Sequence, residues 1–111
     1  MIYNIMTDNL TIIRDLKGYL QKGYNDPVKE IILFGSQAKG NSNDNSDYDV
    51  LIVLEKEYGA RDENQIYDLC YDIDLKYNII IDAHLISLQE LKTIRGKQPI
   101  ITNAIKTGIY A

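Results

Sequence analysis

The chain has 111 residues, of which 45% are hydrophobic and 25% are charged. This length and composition exclude a wholly disordered chain, a collagen-like fibre and a coiled coil, and predict a single domain over residues 1–111. Twelve basic residues against sixteen acidic residues give a net charge of −4. Because binding along a nucleic-acid backbone depends on a surplus of basic residues, we expect no extended nucleic-acid binding.

The apolar runs of the sequence are short. One of the longest, Val50–Leu54, is far below the roughly 18 residues that a membrane-spanning helix needs. The first five residues lack the basic region and the long apolar stretch of a secretory signal. A lone cysteine, Cys70, excludes an internal disulfide and is typical of a reducing compartment. These features predict a cytoplasmic protein with no membrane partner.

The first predicted elements are a helix and a strand. Apolar residues at helical spacing predict a helix from Thr7 to about Tyr24. The β-branched and aliphatic run Glu30–Phe34 then predicts a buried strand that stops at Gly35. The candidate N-caps of the helix are Thr7, Asp8 and Asn9.

A second strand, a second helix and a third strand follow a polar stretch. The segment Gly40–Ser46 is predicted to be a loop. Asp47–Glu55 is apolar on both alternating faces, which predicts a strand in the middle of a sheet. Apolar residues recur at helical spacing over Arg61–Tyr77, with Cys70 on the apolar face. The run Ile79–Ile86 predicts the third strand.

The last third of the chain predicts two further helices. Ser87–Glu90 has the pattern of a capping box and is expected to open a short helix that Gly96 ends. Pro99 and Gly108 bracket a final helix, with proline in its first turn and glycine just past its end. The order of the elements predicts an α/β (α+β) fold in which helices pack a small mixed sheet of three strands.

Gly35 and Ser36 directly follow the first predicted strand. A glycine lets a phosphate approach the backbone closely, and exposed N–H groups at the start of a helix favour an anion. The pair therefore indicates a candidate phosphate-binding turn. The simpler interpretation is an ordinary turn, because most Gly-Ser pairs that follow a strand are nothing more.

Asp47 and Asp49 lie two residues apart at the start of the second predicted strand. The two-residue period of a strand places both carboxylates on one face, where like charges repel unless a cation neutralises them. Mg²⁺ suits such a pair because it prefers carboxylate oxygens and takes further ligands from substrate phosphates. The alternative is a pair of solvated acids in a loop.

A third acid, Asp82, interrupts the apolar third strand. An unpaired carboxylate among apolar neighbours is costly, and a metal shared with Asp47 and Asp49 would compensate for it. The alternatives are exposure on an edge strand or a salt bridge to a lysine, for which Lys39 and Lys29 are the candidates. His84 shares a strand face with Asp82, but a lone histidine in this position is more often structural or solvated.

The spacing of these residues resembles a known signature. Gly35-Ser36, then the ten residues 37–46, then Asp47-Tyr48-Asp49 are similar to the motif of the DNA polymerase β-like nucleotidyltransferase superfamily, and more narrowly of the minimal nucleotidyltransferases. The run Gly-Ser-Gln-Ala-Lys-Gly is similar to the family's Gly-Ser-x-Ala-Arg-Gly. Lys39 departs from the usual arginine, which keeps the charge but loses bidentate geometry.

The resemblance implies an activity and a role for each matching residue. The reaction would transfer a nucleoside monophosphate from a nucleoside triphosphate to an acceptor hydroxyl and release pyrophosphate. Gly35, Ser36 and Lys39 would bind the nucleotide. Asp47 and Asp49 would bind two Mg²⁺ ions, and Asp82 would complete the metal site that activates the acceptor. These three acids are thus the expected catalytic and metal-binding residues.

The resemblance also implies a partner. Many minimal nucleotidyltransferases pair with a small all-helical protein of the HEPN type, often a ribonuclease toxin, and some add AMP from ATP to a tyrosine of that toxin. This chain would then be an antitoxin and an adenylyltransferase. Two alternatives stay open: a non-catalytic antitoxin or nucleotide-sensing subunit that acts by binding, and a transferase that modifies a small hydroxylated molecule such as an aminoglycoside.

Overall fold

The computed structural model describes residues 8–39 and 47–111. The predicted loop Gly40–Ser46 and the candidate N-cap Thr7 lie outside the described residues. In chain order the elements are α1 (Asn9–Gly23), β1 (Val28–Phe34), α2 (Ser36–Lys39), β2 (Tyr48–Leu54), α3 (Ala60–Tyr77), β3 (Ile81–Ser87), α4 (Leu88–Leu91), a 3₁₀ helix (Ile94–Lys97), α5 (Pro99–Thr107) and β4 (Ile109–Tyr110).

The strands form one mixed sheet in the order β3-β2-β1-β4. Strand β1 pairs antiparallel with β2 and with β4, whereas β2 and β3 are parallel. A mixed sheet packed by helices confirms the predicted fold class. Strand β2 has a neighbour on each side, as predicted, because residues buried on both faces favour a central position.

Helices cover both faces of the sheet. Helices α1 and α3 pack together and cover one face, whose main cluster includes Leu16, Leu20, Ile31, Val50, Ile52 and Ile66. Helix α5 covers the other face, where Ile101 and Ala104 pack on Ile32, Leu51, Val53 and Ile86. Adjacent residues of β1 and β2 alternate between these two clusters, as the period of a strand requires. None of the described helices is both long and apolar enough to cross a membrane.

The helix ends follow local chemistry. Asp8 is the N-cap of α1 and accepts a hydrogen bond from the Thr11 backbone at 2.8 Å. Helix α3 ends at Tyr77, and the next residue, Asn78, has a left-handed backbone (φ 55°), which is a usual way to terminate a helix. The predicted capping box of α4 is present, because the Ser87 hydroxyl and the Glu90 carboxylate each accept from the other residue's backbone N–H.

Two predictions about the final third were wrong. Gly96 does not end the short helix, because α4 stops at Leu91 and Gly96 lies in the following 3₁₀ helix. The glycine is required for another reason: a Cβ there would overlap the backbone of Leu91. Within residues 8–39 and 47–111 the sheet has four strands rather than three, since Ile109–Tyr110 pairs with β1. A strand of two residues is too short to show a two-residue period in sequence.

Candidate functional site

The strand register brings two of the predicted acids together. Asp49 lies opposite Phe34 of β1 on one side and opposite Asp82 of β3 on the other. Residues paired across neighbouring strands project from the same face of the sheet. The two carboxylates therefore lie side by side near the beginning of β2 and β3.

His84 joins these acids. The ligand atoms of Asp49, Asp82 and His84 all lie within 4.8 Å of one another. The His84 Nε2 atom is 3.4 Å from Asp82 Oδ2, and the side chains of the two residues are 29% and 53% exposed respectively. The imidazole ring packs on Phe34 with 5.6 Å between ring centroids. The signal for His84 in the sequence was its position two residues after Asp82, which sets both on one strand face.

The surroundings of Asp49 disfavour its charge. Partial burial raises the pKa of the Asp49 carboxyl above its ordinary value, and the neighbouring charge of Asp82 raises it further. The charge of His84 acts in the opposite direction, while Asp47 adds repulsion. A pair of carboxylates held together in this way is suited to a cation, whose positive charge offsets both the repulsion and the cost of burying the charged carboxylate.

The turn after β1 packs directly against the carboxylate of Asp49. Gly35 has φ +76°, a left-handed conformation that L side chains rarely adopt. A Cβ at this position would overlap the Oδ2 atom of Asp49. The Gly35 carbonyl accepts hydrogen bonds from the backbone N–H groups of Ala38 and Lys39 at 3.2 and 3.3 Å. These bonds connect the turn to the short helix α2. A glycine is thus required both by the backbone and by the carboxylate beside it.

The remaining predicted site residues are placed less centrally. Asp47 is exposed immediately before β2, and its charge raises the pKa of both Asp49 and Asp74. Among the described residues, its carboxylate is not part of the group within 4.8 Å. Lys39 is exposed at the end of α2. Of the two alternatives for Asp82, a salt bridge to Lys39 or Lys29 is not found among the described residues, where its ion-pair partner is His84, whereas exposure on an edge strand is found, because β3 lies at an edge of the sheet and the Asp82 side chain is 53% exposed.

Sequence reasoning missed Asn9, whose side chain forms hydrogen bonds with two other elements of the fold. Its amide donates to the backbone carbonyl of Gln37 at 3.0 Å and to the Gln37 side chain at 3.1 Å. Its carbonyl oxygen accepts from the Tyr48 hydroxyl at 2.8 Å. Local pattern predicts only an N-cap role for Asn9, because its hydrogen-bond partners are too distant in sequence for such a pattern to reveal them. Asn9 links α1 to α2 and to the start of β2.

Replacing Asn9 by Ala is expected to lower the free energy of unfolding by about 1–3 kcal/mol, because three hydrogen bonds are lost together. Urea unfolding of the N9A variant measures this loss. The matched control is Asn64→Ala on the exposed surface of α3, which is expected to change stability by less than about 0.5 kcal/mol. Equal effects of the two substitutions would show that the Asn9 contacts do not hold α2 in place.

The raised pKa of Asp49 predicts how the stability of the protein changes with pH. The folded protein binds the Asp49 proton more tightly than the unfolded chain, so this residue's stabilising contribution is complete below the unfolded pKa, 3.8. That contribution is lost as the pH rises through the higher folded pKa. The stability of Asp49→Asn minus that of the wild type should therefore grow with pH and then level off. Urea unfolding of both proteins between about pH 4 and 7.5 checks this; a constant difference would contradict it.

Comparisons with known proteins agree with the geometry. A family model described as a nucleotidyltransferase domain matches residues 13–110. A protein of Methanocaldococcus jannaschii with the provisional name protein adenylyltransferase MJ0604 is 38% identical over 96 residues, which cover 86% of this chain and 90% of that protein. A second protein of the same organism, provisionally named protein adenylyltransferase MJ0141, is 31% identical over 84 residues, with 76% and 84% covered.

Two solved structures have a similar fold. A mutant of the toxin-antitoxin MntA-HpeT aligns with a TM-score of 0.60 and 14% identity, over 87% of this chain and 69% of that chain. A toxin-antitoxin crystallised with AMP-PNP also aligns with a TM-score of 0.60, at 20% identity, over 92% of this chain and 71% of that chain. At these identities the likeness concerns the fold.

Proposed function

Because this chain belongs to the nucleotidyltransferase domain family, we propose that it is a protein adenylyltransferase, which transfers AMP from ATP to a hydroxyl group of a partner protein. The nucleotidyltransferase activity follows from the family match and the two named relatives. The nucleotide, the metal and the acceptor are the proposed parts.

One observation carries the proposal: the carboxylates of Asp49 and Asp82 lie side by side, with the turn at Gly35 packed directly against Asp49. Nucleotidyl transfer needs cations that neutralise charge beside the reacting phosphate. It also needs a stretch of backbone that the phosphates can approach closely. The donor set fits Mg²⁺, which prefers carboxylate oxygens. Asp47, Asp49 and Asp82 are the residues that we expect to hold two Mg²⁺ ions.

In this mechanism Gly35 and Ser36 bind the triphosphate tail and Lys39 adds a positive charge. Metal ions held by Asp47, Asp49 and Asp82 would neutralise the charge that develops on the phosphates and would align the reacting groups. The acceptor oxygen forms a bond to the α-phosphorus, the bond between that phosphorus and the bridging oxygen breaks, and pyrophosphate leaves. The acceptor proton passes to the Asp82 carboxylate and then to solvent, because Asp82 is about half exposed.

The proposed acceptor is a tyrosine of a small all-helical toxin of the HEPN type, and this chain is its antitoxin. Two findings favour a protein partner. Both archaeal relatives have names that specify protein adenylylation, and both structural neighbours come from toxin-antitoxin complexes.

The test is incubation with Mg²⁺ and each of four α-labelled nucleoside triphosphates, with and without the protein that the neighbouring gene encodes. We expect label from ATP on a tyrosine of that partner and a matching gain in its mass. The Asp49→Asn variant should lose this transfer. The Asp68→Asn variant makes the same chemical change on the exposed surface of α3 and should retain transfer. Tight association without transfer would indicate an antitoxin that acts by binding alone. Absence of both would favour a small-molecule acceptor.

A further inference from the structure

We infer that His84 is a metal ligand of this site and that it shifts the preference of the site from Mg²⁺ towards Mn²⁺. This inference rests on the proposed function, which places divalent cations at Asp49 and Asp82. It adds a nitrogen ligand to a site otherwise composed of carboxylates. His84 would thereby become a residue that determines which metal the enzyme uses.

The distance between the two ligand atoms fits a shared ion. Two adjacent ligands of an octahedral ion that each lie about 2.1 Å from it are separated by roughly 3.0 Å. His84 Nε2 is 3.4 Å from Asp82 Oδ2, so a shift of a few tenths of an ångström would let both atoms bind one ion. This separation is longer than the range of about 2.7–3.2 Å that is usual for a direct N–H···O hydrogen bond. One ligand atom from each of Asp49, Asp82 and His84 lies within 4.8 Å of the other two, and Asp49 pairs with Asp82 across β2 and β3 on the same face of the sheet.

The imidazole is also held in its orientation. Its ring packs on Phe34, whose side chain is buried beneath the site and which pairs with Asp49 across β1 and β2. A ligand whose ring is fixed by packing loses little freedom when it binds a metal. The side chain is 29% exposed, so solvent and a hydrated ion can reach it.

The chemistry of the ligand predicts the metal preference. Mg²⁺ favours oxygen ligands and retains its water, whereas Mn²⁺ binds carboxylates and accepts imidazole nitrogen more readily. The simpler explanation is that His84 only balances the charge of Asp82. A counter-charge of this kind would not favour one divalent ion over another, so metal selectivity separates the two explanations.

The first experiment detects the metal–nitrogen bond directly. The chain contains a single histidine, so protein grown with ¹⁵N-histidine and purified without a polyhistidine tag is labelled in imidazole at His84 alone. Pulsed electron paramagnetic resonance of bound Mn²⁺, with and without AMP-PNP, should show nitrogen coupling that changes between ¹⁴N and ¹⁵N protein. His84→Phe keeps a ring to pack on Phe34 and should abolish the coupling. Bound Mn²⁺ without histidine coupling would overturn the inference.

The second experiment measures the dissociation constants of Mn²⁺ and Mg²⁺ by calorimetry. His84→Phe should weaken Mn²⁺ binding by about tenfold or more while Mg²⁺ binding stays within about threefold. His84→Gln, which offers an oxygen ligand, should also lose the preference for Mn²⁺ and serves if the phenylalanine variant does not fold. Equal changes for the two ions would overturn the inference. If the wild type binds neither ion, the metal role of the proposed function fails as well.

Discussion

Replacing Asp49 by Asn is expected to reduce nucleotidyl transfer by at least about 10³-fold. The substitution removes a carboxylate at the centre of the candidate metal site, and metal ions contribute several kcal/mol of charge stabilisation to reactions of this class. The side chains of Asn and Asp have almost the same shape, so contacts with the turn at Gly35 and with Asp82 are preserved. The loss should appear in kcat measured with saturating nucleotide.

The same variant should remain folded, because Asn removes the repulsion that raises the pKa of Asp49. Without added metal, its melting temperature should equal or exceed that of the wild type. Asp68→Asn makes the same chemical change on the exposed surface of α3 and should leave transfer and melting temperature unchanged. Transfer by the Asp49 variant within tenfold of the wild type would contradict the assignment of this carboxylate to the metal site.

Gly35→Ala is expected to damage both stability and transfer. A left-handed backbone costs a residue with a Cβ about 1–2 kcal/mol, and the overlap with Asp49 Oδ2 adds a similar cost of overpacking. We therefore expect a loss of roughly 2–4 kcal/mol in the free energy of unfolding. Displacement of the Asp49 carboxylate by about 1 Å would reduce transfer by about 10²-fold.

Gly18→Ala is the matched control for this prediction. Gly18 lies inside α1, and a Cβ there would meet nothing within 4 Å. Alanine at this position should increase the free energy of unfolding by about 0.5–1 kcal/mol and leave transfer unchanged. Urea unfolding and a transfer assay of both variants provide the comparison. If Gly35→Ala is as stable and active as Gly18→Ala, the close packing of the turn on Asp49 has no functional role.

The residues of the candidate site could be proposed from the sequence because the patterns that single them out are local. The Gly-Ser pair ends a strand, and the acids interrupt apolar runs. The parallel pairing of β2 and β3 is also consistent with local pattern, since a helix between two strands allows them to run in the same direction. Both strands then begin at the same end of the sheet, and this places Asp49 beside Asp82.

Other features depend on contacts between distant parts of the chain. The hydrogen bonds of Asn9 to Gln37 and Tyr48 join residues whose proximity only the folded structure establishes. The sequence favours a structural or solvated role for His84, since its proximity to Asp49 depends on the register of β3 against β2. The carboxylate of Asp82 is less buried than its apolar neighbours in the sequence indicated, since β3 is an edge strand of the described sheet and the Asp82 side chain is 53% exposed.

The most direct test compares two positions of the label in ATP. The wild type and Asp49→Asn are incubated with Mg²⁺ and the partner protein, using ATP labelled at either the α- or the γ-phosphate. Transfer of AMP predicts that the α-label appears on the partner, that the γ-label leaves with pyrophosphate, and that the variant transfers neither. Incorporation of the γ-label, or equal α-labelling by the wild type and the variant, would contradict a nucleotidyl transfer that depends on this site.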